Sequence, residues 1–393
     1  MIIRKAEAPI LAAVFLDLLG FGMIIADIQL RAEKMVPHGW PSGVIIGAIL
    51  AATFVTQIVV SPLWGSYSDR HGRKWVVVGC TAISGIAMLT YGLAGSIWIL
   101  LLSRVLSGFG SANVAVGQAL ISDMYEPDQR TAALGRIGAA LSAGLVVGPA
   151  LGGFLAAAGG NFLVGCVAGS ASILGALWMM FGLPNPEPKE KGAKSKMTGF
   201  NLSLLRDLPK LRPLVVIAVV AWLSLATLEG TFARLISHLF RYDQRHFGII
   251  FGYESILGIA IQGVLLTWFV NRFSSTMLLR GAYLVQGLGL ALNPFAGILM
   301  PTVVPFALLI VASTFYALGS SISNPTVNGL CSRLAPDSRQ GELFGLLQGA
   351  RSIGFVVGPL AGGALFDWMP AAPYIFAGSV CVAAAALVPK IAP

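Results

Sequence analysis

The chain has 393 residues, of which 56% are hydrophobic and only 11% charged, with a formal net charge of +9 and a mean hydropathy of +0.80. Soluble globular domains carry about a quarter charged residues, so this composition excludes that class and makes lipid the main solvent. The basic excess is not a nucleic-acid footprint, because no basic patch is interleaved with exposed aromatics.

Apolar runs of roughly 20 residues, the length that crosses ~30 Å of hydrocarbon, recur along the whole sequence. In chain order they fall near 9–30, 43–64, 75–95, 97–121, 132–158, 161–183, 213–237, 246–270, 277–297, 302–330, 341–366 and 371–390. The first follows Arg4, Lys5 and Glu7 and carries Asp17. It is too long for a signal peptide and is followed by further runs, so it reads as a retained span. The expected fold class is an all-α membrane protein of twelve transmembrane helices in two pseudo-symmetric six-helix bundles, 1–183 and 213–393, joined by a linker over 184–212. That linker is the single long polar stretch, running from Pro184 to Pro213 with mixed charge between prolines. Cys80, Cys166, Cys331 and Cys381 are far apart in or beside apolar runs and read as small packing residues.

A shift of 210 residues lays Leu134–Leu155 over Phe344–Leu365, aligning Gly135 with Gly345, Gly148-Pro149 with Gly358-Pro359, and Gly152-Gly153 with Gly362-Gly363. Two parallel six-span repeats imply a substrate site near the membrane midplane between halves that rock against each other. Nineteen basic residues fall on the side of the termini and the linker, among them Arg70, Arg73, Lys74, Arg136, Lys189 and Arg339. Five fall on the other side (Arg31, Lys34, Arg234, Arg241 and Arg245), while Arg104 and Arg351 lie inside spans. By the positive-inside rule both termini are cytoplasmic, and the expected location is a bacterial inner membrane.

The loop after span 2 reads Gly65-Ser66-Tyr67-Ser68-Asp69-Arg70-His71-Gly72-Arg73-Lys74. Physically, Gly65 lets helices approach, Gly72 permits a turn, Asp69 is placed to cap a helix N-terminus, and the cations seek acids or lipid phosphates. Asp123, at the end of span 4, is the natural partner for Arg73. In span 5, Gly135, Gly144, Gly148, Pro149, Gly152 and Gly153 leave a bare groove, and Pro149 removes a backbone donor, so close packing and a bend are expected.

These residues carry a resemblance. The loop matches the G-x-x-x-D-R-x-G-R-[RK] motif of the major facilitator superfamily at every defined position, Arg104 and Gly108 are similar to its R-x-x-x-G pattern, and span 5 resembles the motif of its drug/proton antiporter branch. The stretch from Phe15 through Asp17, Gly20 and Gly22 to Gln57 and Pro62-Leu63-Trp64-Gly65 looks most like tetracycline/proton antiporters and their relatives. The resemblance implies that the span 2–3 loop latches the two halves on the cytoplasmic side, with Asp69 bonding near the start of span 11. The equivalent loop around Asn271 and Arg272 lacks the aspartate, so its latch is expected to be weaker.

Charge at the bilayer centre costs on the order of 2.5 to 3.5 kcal/mol on insertion scales, so intramembrane ionisable residues mark function. Asp17, Arg104, Glu229, Glu254 and Arg351 are the candidates for proton coupling or substrate binding. Asp17 is either a proton or cation-substrate site, as the resemblance implies, or a buried acid paired with an arginine. Glu229 and Glu254, in the outer halves of spans 7 and 8, are functional or solvated helix-end groups. Arg104 serves coupling or bonds backbone carbonyls. Arg351, which faces Leu141 in the repeat alignment, is an anion-binding group or a partner for Asp17, Glu229 or Glu254. Asp27, at the outer mouth of span 1, reads as solvated.

Gln57, Asn113, Gln262 and Asn324 are candidate polar cavity residues. No HExxH, GxSxG, Walker loop or paired metal-ligand set is present, so neither enzyme chemistry, nor a metal, nor a cofactor is expected. The expected activity is proton-coupled efflux of a small amphiphilic or drug-like compound by alternating access, by a monomer whose partners are substrate, protons and the lipid bilayer. The alternatives are a facilitator or symporter of sugars or organic anions, and lipid-precursor translocation.

Overall fold

The computed structural model describes residues 2–125, 127–183, 203–299, 305–336 and 339–388, and among them only helices form. In order these are α1 (Ile2–Met35), α2 (Ser42–His71), α3 (Arg73–Leu93), α4 (Ile97–Gly110), α5 (Asn113–Met124), α6 (Pro127–Gly182) and the short α7 (Ser203–Asp207). They continue as α8 (Leu211–Phe240), α9 (Gln244–Ala260), a π-helical turn (Ile261–Leu265), α10 (Leu266–Arg272), α11 (Ser275–Leu299), α12 (Pro305–Leu334), α13 (Gln340–Trp368) and α14 (Ala372–Leu387). Nine stretches among the described residues are long and apolar enough to cross a membrane. One of them, α6, breaks at Gly159–Gly160 into two arms, where Gly160 takes a φ of 61° that a side chain would resist. With α11 and α14 added, the helical rods are consistent with twelve spans. The break in α6 falls at these glycines; the dihedrals at Pro149, where a bend was expected, are helical.

The described residues part into two compact units. Residues 2–36 and 52–183 form one; residues 37–51 and 203–388 form the other. The expected linker lies largely outside the described residues, but its last part is folded: α7 buries Leu204, and Asp207 pairs with Arg339 at 2.8 Å.

In the first unit, α1 and the first arm of α6 meet backbone to backbone. A side chain at Gly144 would run into the Phe15 carbonyl, at Gly148 into that of Leu19, and at Gly152 into that of Met23. Both series step by four residues, so each helix presents one face, and glycine is what lets them touch. An apolar core of Ile10, Val14, Val77, Cys80, Val116 and Ile137 fills the space beside this seam. The second unit repeats the device: Gly354 meets Trp222 and Leu223 of α8, Gly358 meets Leu223 and Ala226, and Gly362 meets Thr227 and Thr231. Two other glycines of the motif residues behave differently, since added side chains at Gly65 and Gly135 would have no neighbour within 4 Å. The close approach expected at Gly65 is therefore absent among the described residues.

Asp243 caps α9, accepting from the backbone of Arg245 at 3.1 Å and of His246 at 3.2 Å, and from His246 Nδ1 at 2.7 Å. Partial burial tends to raise its pKa, but the bonds from His246 and Arg245 outweigh that and hold it below the ordinary value. A depressed carboxylate stabilises above its unfolded pKa of about 3.9 and loses that contribution as pH falls through the folded value. Asp243→Ala is expected to lower stability by ~1 kcal/mol at neutral pH, with the difference from the parent vanishing in acid, as read by thermal unfolding at several pH values.

Candidate functional site

The charged candidates fall into two groups, one in each unit. In the first, Asp17 is 7% exposed on α1, and its carboxylate is hydrogen-bonded by the side chains of Ser84 from α3 and Asn113 from α5. Asn113 also donates to Thr81 Oγ1 at 3.3 Å. Among the described residues no basic side chain forms an ion pair with Asp17, so of its two expected environments the arginine-paired one is not the one found. Neutral hydroxyl and amide donors can serve both the charged and the protonated acid, whereas an arginine would fix the charged form.

Arg104 on α4 is 0% exposed. Its Nε donates to Ser103 Oγ at 3.2 Å and its guanidinium lies 5.2 Å from the Tyr91 ring centroid. Its Nη1 and Nη2 have no hydrogen-bond partner among the described residues, so the expected alternative of bonds to backbone carbonyls is not realised. Its own carbonyl accepts from Thr53 Oγ1 at 3.1 Å. Tyr91 also binds Asp27, whose Oδ2 accepts from the phenol at 2.5 Å. Asp27 is 5% exposed, which corrects its reading as a solvated residue at the mouth of the span.

In the second unit, Glu229 of α8 feels the charges of both Arg351 of α13 and Glu254 of α9. Glu229 is 5% exposed, not a solvated helix-end group. Ser313 hydrogen-bonds Glu254. The Arg351 guanidinium stands 5.1 Å from the Trp222 ring centroid and 5.5 Å from that of Phe355, a pair of aromatic faces that suits a desolvated cation. Its Nε and the buried Tyr316 hydroxyl lack hydrogen-bond partners among the described residues. Orphaned polar atoms converging in one place are unusual in a folded core and mark a site.

The span 2–3 loop is built around Arg73, which pairs with Asp69 at 2.9 Å and with Asp123 at 2.5 Å. Gly72 makes the turn with φ 94°. Asp69 gives no cap to α3, whose N-cap is Gly72 without a side-chain bond. Lys74 turns inward, donating to the Leu183 carbonyl at 2.6 Å, while Arg70 stays exposed. In the second half, Asn271 and Arg272 are exposed at the end of α10. Of the polar candidates, Asn113 is buried beside Asp17, Gln57 and Asn324 are half-buried, and Gln262 sits exposed on the π-helical turn. A groove of about 350 Å³ between α2 and α3, lined by Trp64, Tyr67, His71 and Trp75 among others, contains none of the charged candidates.

One feature escaped the sequence. The Asp367 carboxylate accepts from Gly43 N at 2.7 and 2.9 Å and from Val44 N at 3.2 Å, capping the first turn of α2 within the second unit. Arg234, 3% exposed, donates to Ser42 Oγ at 2.9 Å and lies 3.7 Å from Asp367.

Apolar helical rods with glycine seams and buried ionisable groups define a multi-pass membrane carrier of small molecules. The chain belongs to the Major Facilitator Superfamily, whose model matches residues 10–304 and 264–393. It is 29% identical over 371 residues to multidrug resistance protein 1 of Bacillus subtilis, covering 94% of this chain and 91% of that one. It is 25% identical over 361 residues to the class D tetracycline resistance protein of Salmonella ordonez, covering 91% and 88%. Among solved structures, the human organic anion transporter MFSD10 superposes with a TM-score of 0.70 at 19% identity, covering 98% of this chain and 99% of that one. The nucleoside transporter NupG gives 0.73 at 14%, covering 98% of each. At these identities the two structures establish the fold alone.

Proposed function

We propose that this protein is a proton-coupled antiporter that exports small amphiphilic, drug-like compounds. It sits in a bacterial inner membrane as a monomer with both termini cytoplasmic. The observation that carries the reading is Asp17, a carboxylate buried among apolar helices and held by Ser84 and Asn113, with no arginine paired to it among the described residues. Such a group exchanges a proton for a substrate cation or dipole at little structural cost. The relatives named for multidrug and tetracycline resistance support export over uptake. In the proposed cycle the inward-facing carrier binds substrate, a proton arriving from outside at Asp17 displaces it, and the protonated carrier returns. Two six-helix bundles, 1–183 and 213–393, rock about the linker 184–212. Asp69, Arg73 and Asp123 serve the cytoplasmic gate, and the glycines of α6 keep α1 in register beneath Asp17. Glu229, Glu254 and Arg351 form the substrate-facing charge centre of the second bundle. Arg351 then acts as the partner of Glu229 in preference to an anion receptor, which weakens the organic-anion alternative.

The test is proton movement in liposomes holding the purified chain, with candidate amphiphiles added on one side. The parent is expected to move protons when substrate is added, and Asp17→Asn to lose that movement while still binding substrate. Substrate transport without proton movement, or full proton flux in Asp17→Asn, would sink the reading.

A further inference from the structure

Ten residues beyond Asp17, α1 carries a second buried acid in a setting that a structural ion pair does not require. Asp27 accepts from the Tyr91 hydroxyl at 2.5 Å, the length of a charge-assisted bond. Tyr91 in turn organises two cations. Arg31 Nη1 donates to its carbonyl at 3.2 Å, and the guanidinium carbons of Arg31 and Arg104 lie 5.6 and 5.2 Å from its ring centroid. Among the described residues, the charged groups gathered around Tyr91 are Asp27 and Arg31 from α1 and Arg104 from α4. Glu33 and Lys34 belong to the last turn of α1. Of the described charged side chains on α5 and α6, Asp123 pairs with Arg73 and Arg136 is tied to Glu7 at the opposite end of α1.

With Asp27 ionised, the phenol that both guanidinium groups approach is bonded to an anion. When Asp27 is protonated, that negative charge beside the phenol is lost. Arg104 is the member that must respond, because it is wholly buried and its Nη1 and Nη2 have no acceptor among the described residues. Isolated buried charge is expensive, so the loss of the anion releases Arg104 toward whatever acceptor or anion the carrier next presents.

We propose that Asp27 is a second proton-carrying carboxylate of the transport cycle, and that Tyr91 relays its protonation state to Arg104. This deepens the antiport reading and rests on it: Asp17 exchanges with substrate, while Asp27 is loaded separately nearer the far end of α1 and controls the buried arginine.

Infrared difference spectra of the full chain in liposomes, taken as the pH is lowered from about 8 to about 5, would show each carboxyl that takes up a proton in that window. Asp17→Asn and Asp27→Asn are each expected to remove one protonated-carboxyl band. Tyr91→Phe, which deletes the donor but no titrating acid, should shift the Asp27 band and its midpoint. In the same liposomes, proton movement driven by an added lipophilic cation, tetraphenylphosphonium, is expected to fall by about half in Asp27→Asn, as when one of two interacting sites is lost. Spectra of Asp27→Asn that match the parent's throughout would overturn the proposal and leave Asp27 as a permanently ionised structural group, even if Asp17→Asn still loses its band and its flux. A Tyr91→Phe spectrum that leaves the Asp27 band unmoved would overturn the relay. Failure of the antiport reading has a different signature, in which bands titrate but the parent moves no protons, and this inference falls with it.

Discussion

Gly152→Ala is expected to destabilise the protein by ~1–3 kcal/mol, whereas Gly135→Ala, seventeen residues earlier in the same helix, is expected to raise stability by ~0.5–1 kcal/mol. Both residues belong to the glycine pattern of α6, and both changes add one methyl group to a helix interior, where alanine is favoured over glycine. The difference lies in what the methyl meets. At Gly152 it would overlap the carbonyl and Cα of Met23 on α1, backbone atoms that cannot rotate away. At Gly135 nothing stands within 4 Å. In lipid, helix association depends on close packing with little hydrophobic driving force behind it. Forcing α1 and α6 apart therefore weakens the main contact of the first unit and moves the helix that carries Asp17. Thermal unfolding of the purified chain checks both. Equal effects at the two positions would mean that the seam does not hold the unit together, and that the pattern serves another purpose at both ends.

The twelve runs were legible because length and apolarity are properties of a segment alone. The helices overshoot the expected spans at most ends, as α2 does in continuing from 64 to His71, because amphipathic turns beyond the hydrocarbon still make helical bonds. The glycine seam was legible as a repeat, but which glycines touch was not. Gly144, Gly148 and Gly152 lie one above another on one face, while Gly135 falls past the end of the contact. The pairing of Arg73 with Asp123 could be reasoned from opposite charges at the ends of neighbouring spans, and it stands at 2.5 Å. Asp27 was misjudged because its distance from the end of the run suggests water. What buries it is Tyr91, 64 residues away. Arg234 was counted among outer-loop cations for the same reason, and its partners Ser42 and Asp367 lie on α2 and α13, far off in sequence. No local pattern encodes such pairings, and with one chain there is no covariation to reveal them. The π-helical turn at Ile261–Leu265 left no mark in composition either.

Arg351→Met is expected to cost on the order of 3 kcal/mol of stability, and adding Glu229→Gln to it is expected to restore most of the loss. The two charges act on each other inside the second unit, with Arg351 9% exposed beside the neighbouring rings of Trp222 and Phe355. Removing the cation alone takes away the positive charge that acts on the Glu229 carboxylate, which is 5% exposed on α8. Methionine keeps the length and the contact with both aromatic faces, so the loss reports charge and not volume. Neutralising the glutamate as well removes the stranded charge, and a neutral pair in a packed site is often as stable as the ion pair it replaces. Thermal unfolding of the parent, the two single variants and the double variant closes the cycle, with a coupling of ~1–3 kcal/mol expected for groups in one network. Substrate-driven proton flux separates stability from function. If Arg351 only balances Glu229, the double variant folds well and transports without the coupling that Glu229 contributes. Additive single effects would show instead that Arg351 answers to a different anion, and would return the substrate itself to consideration as its partner.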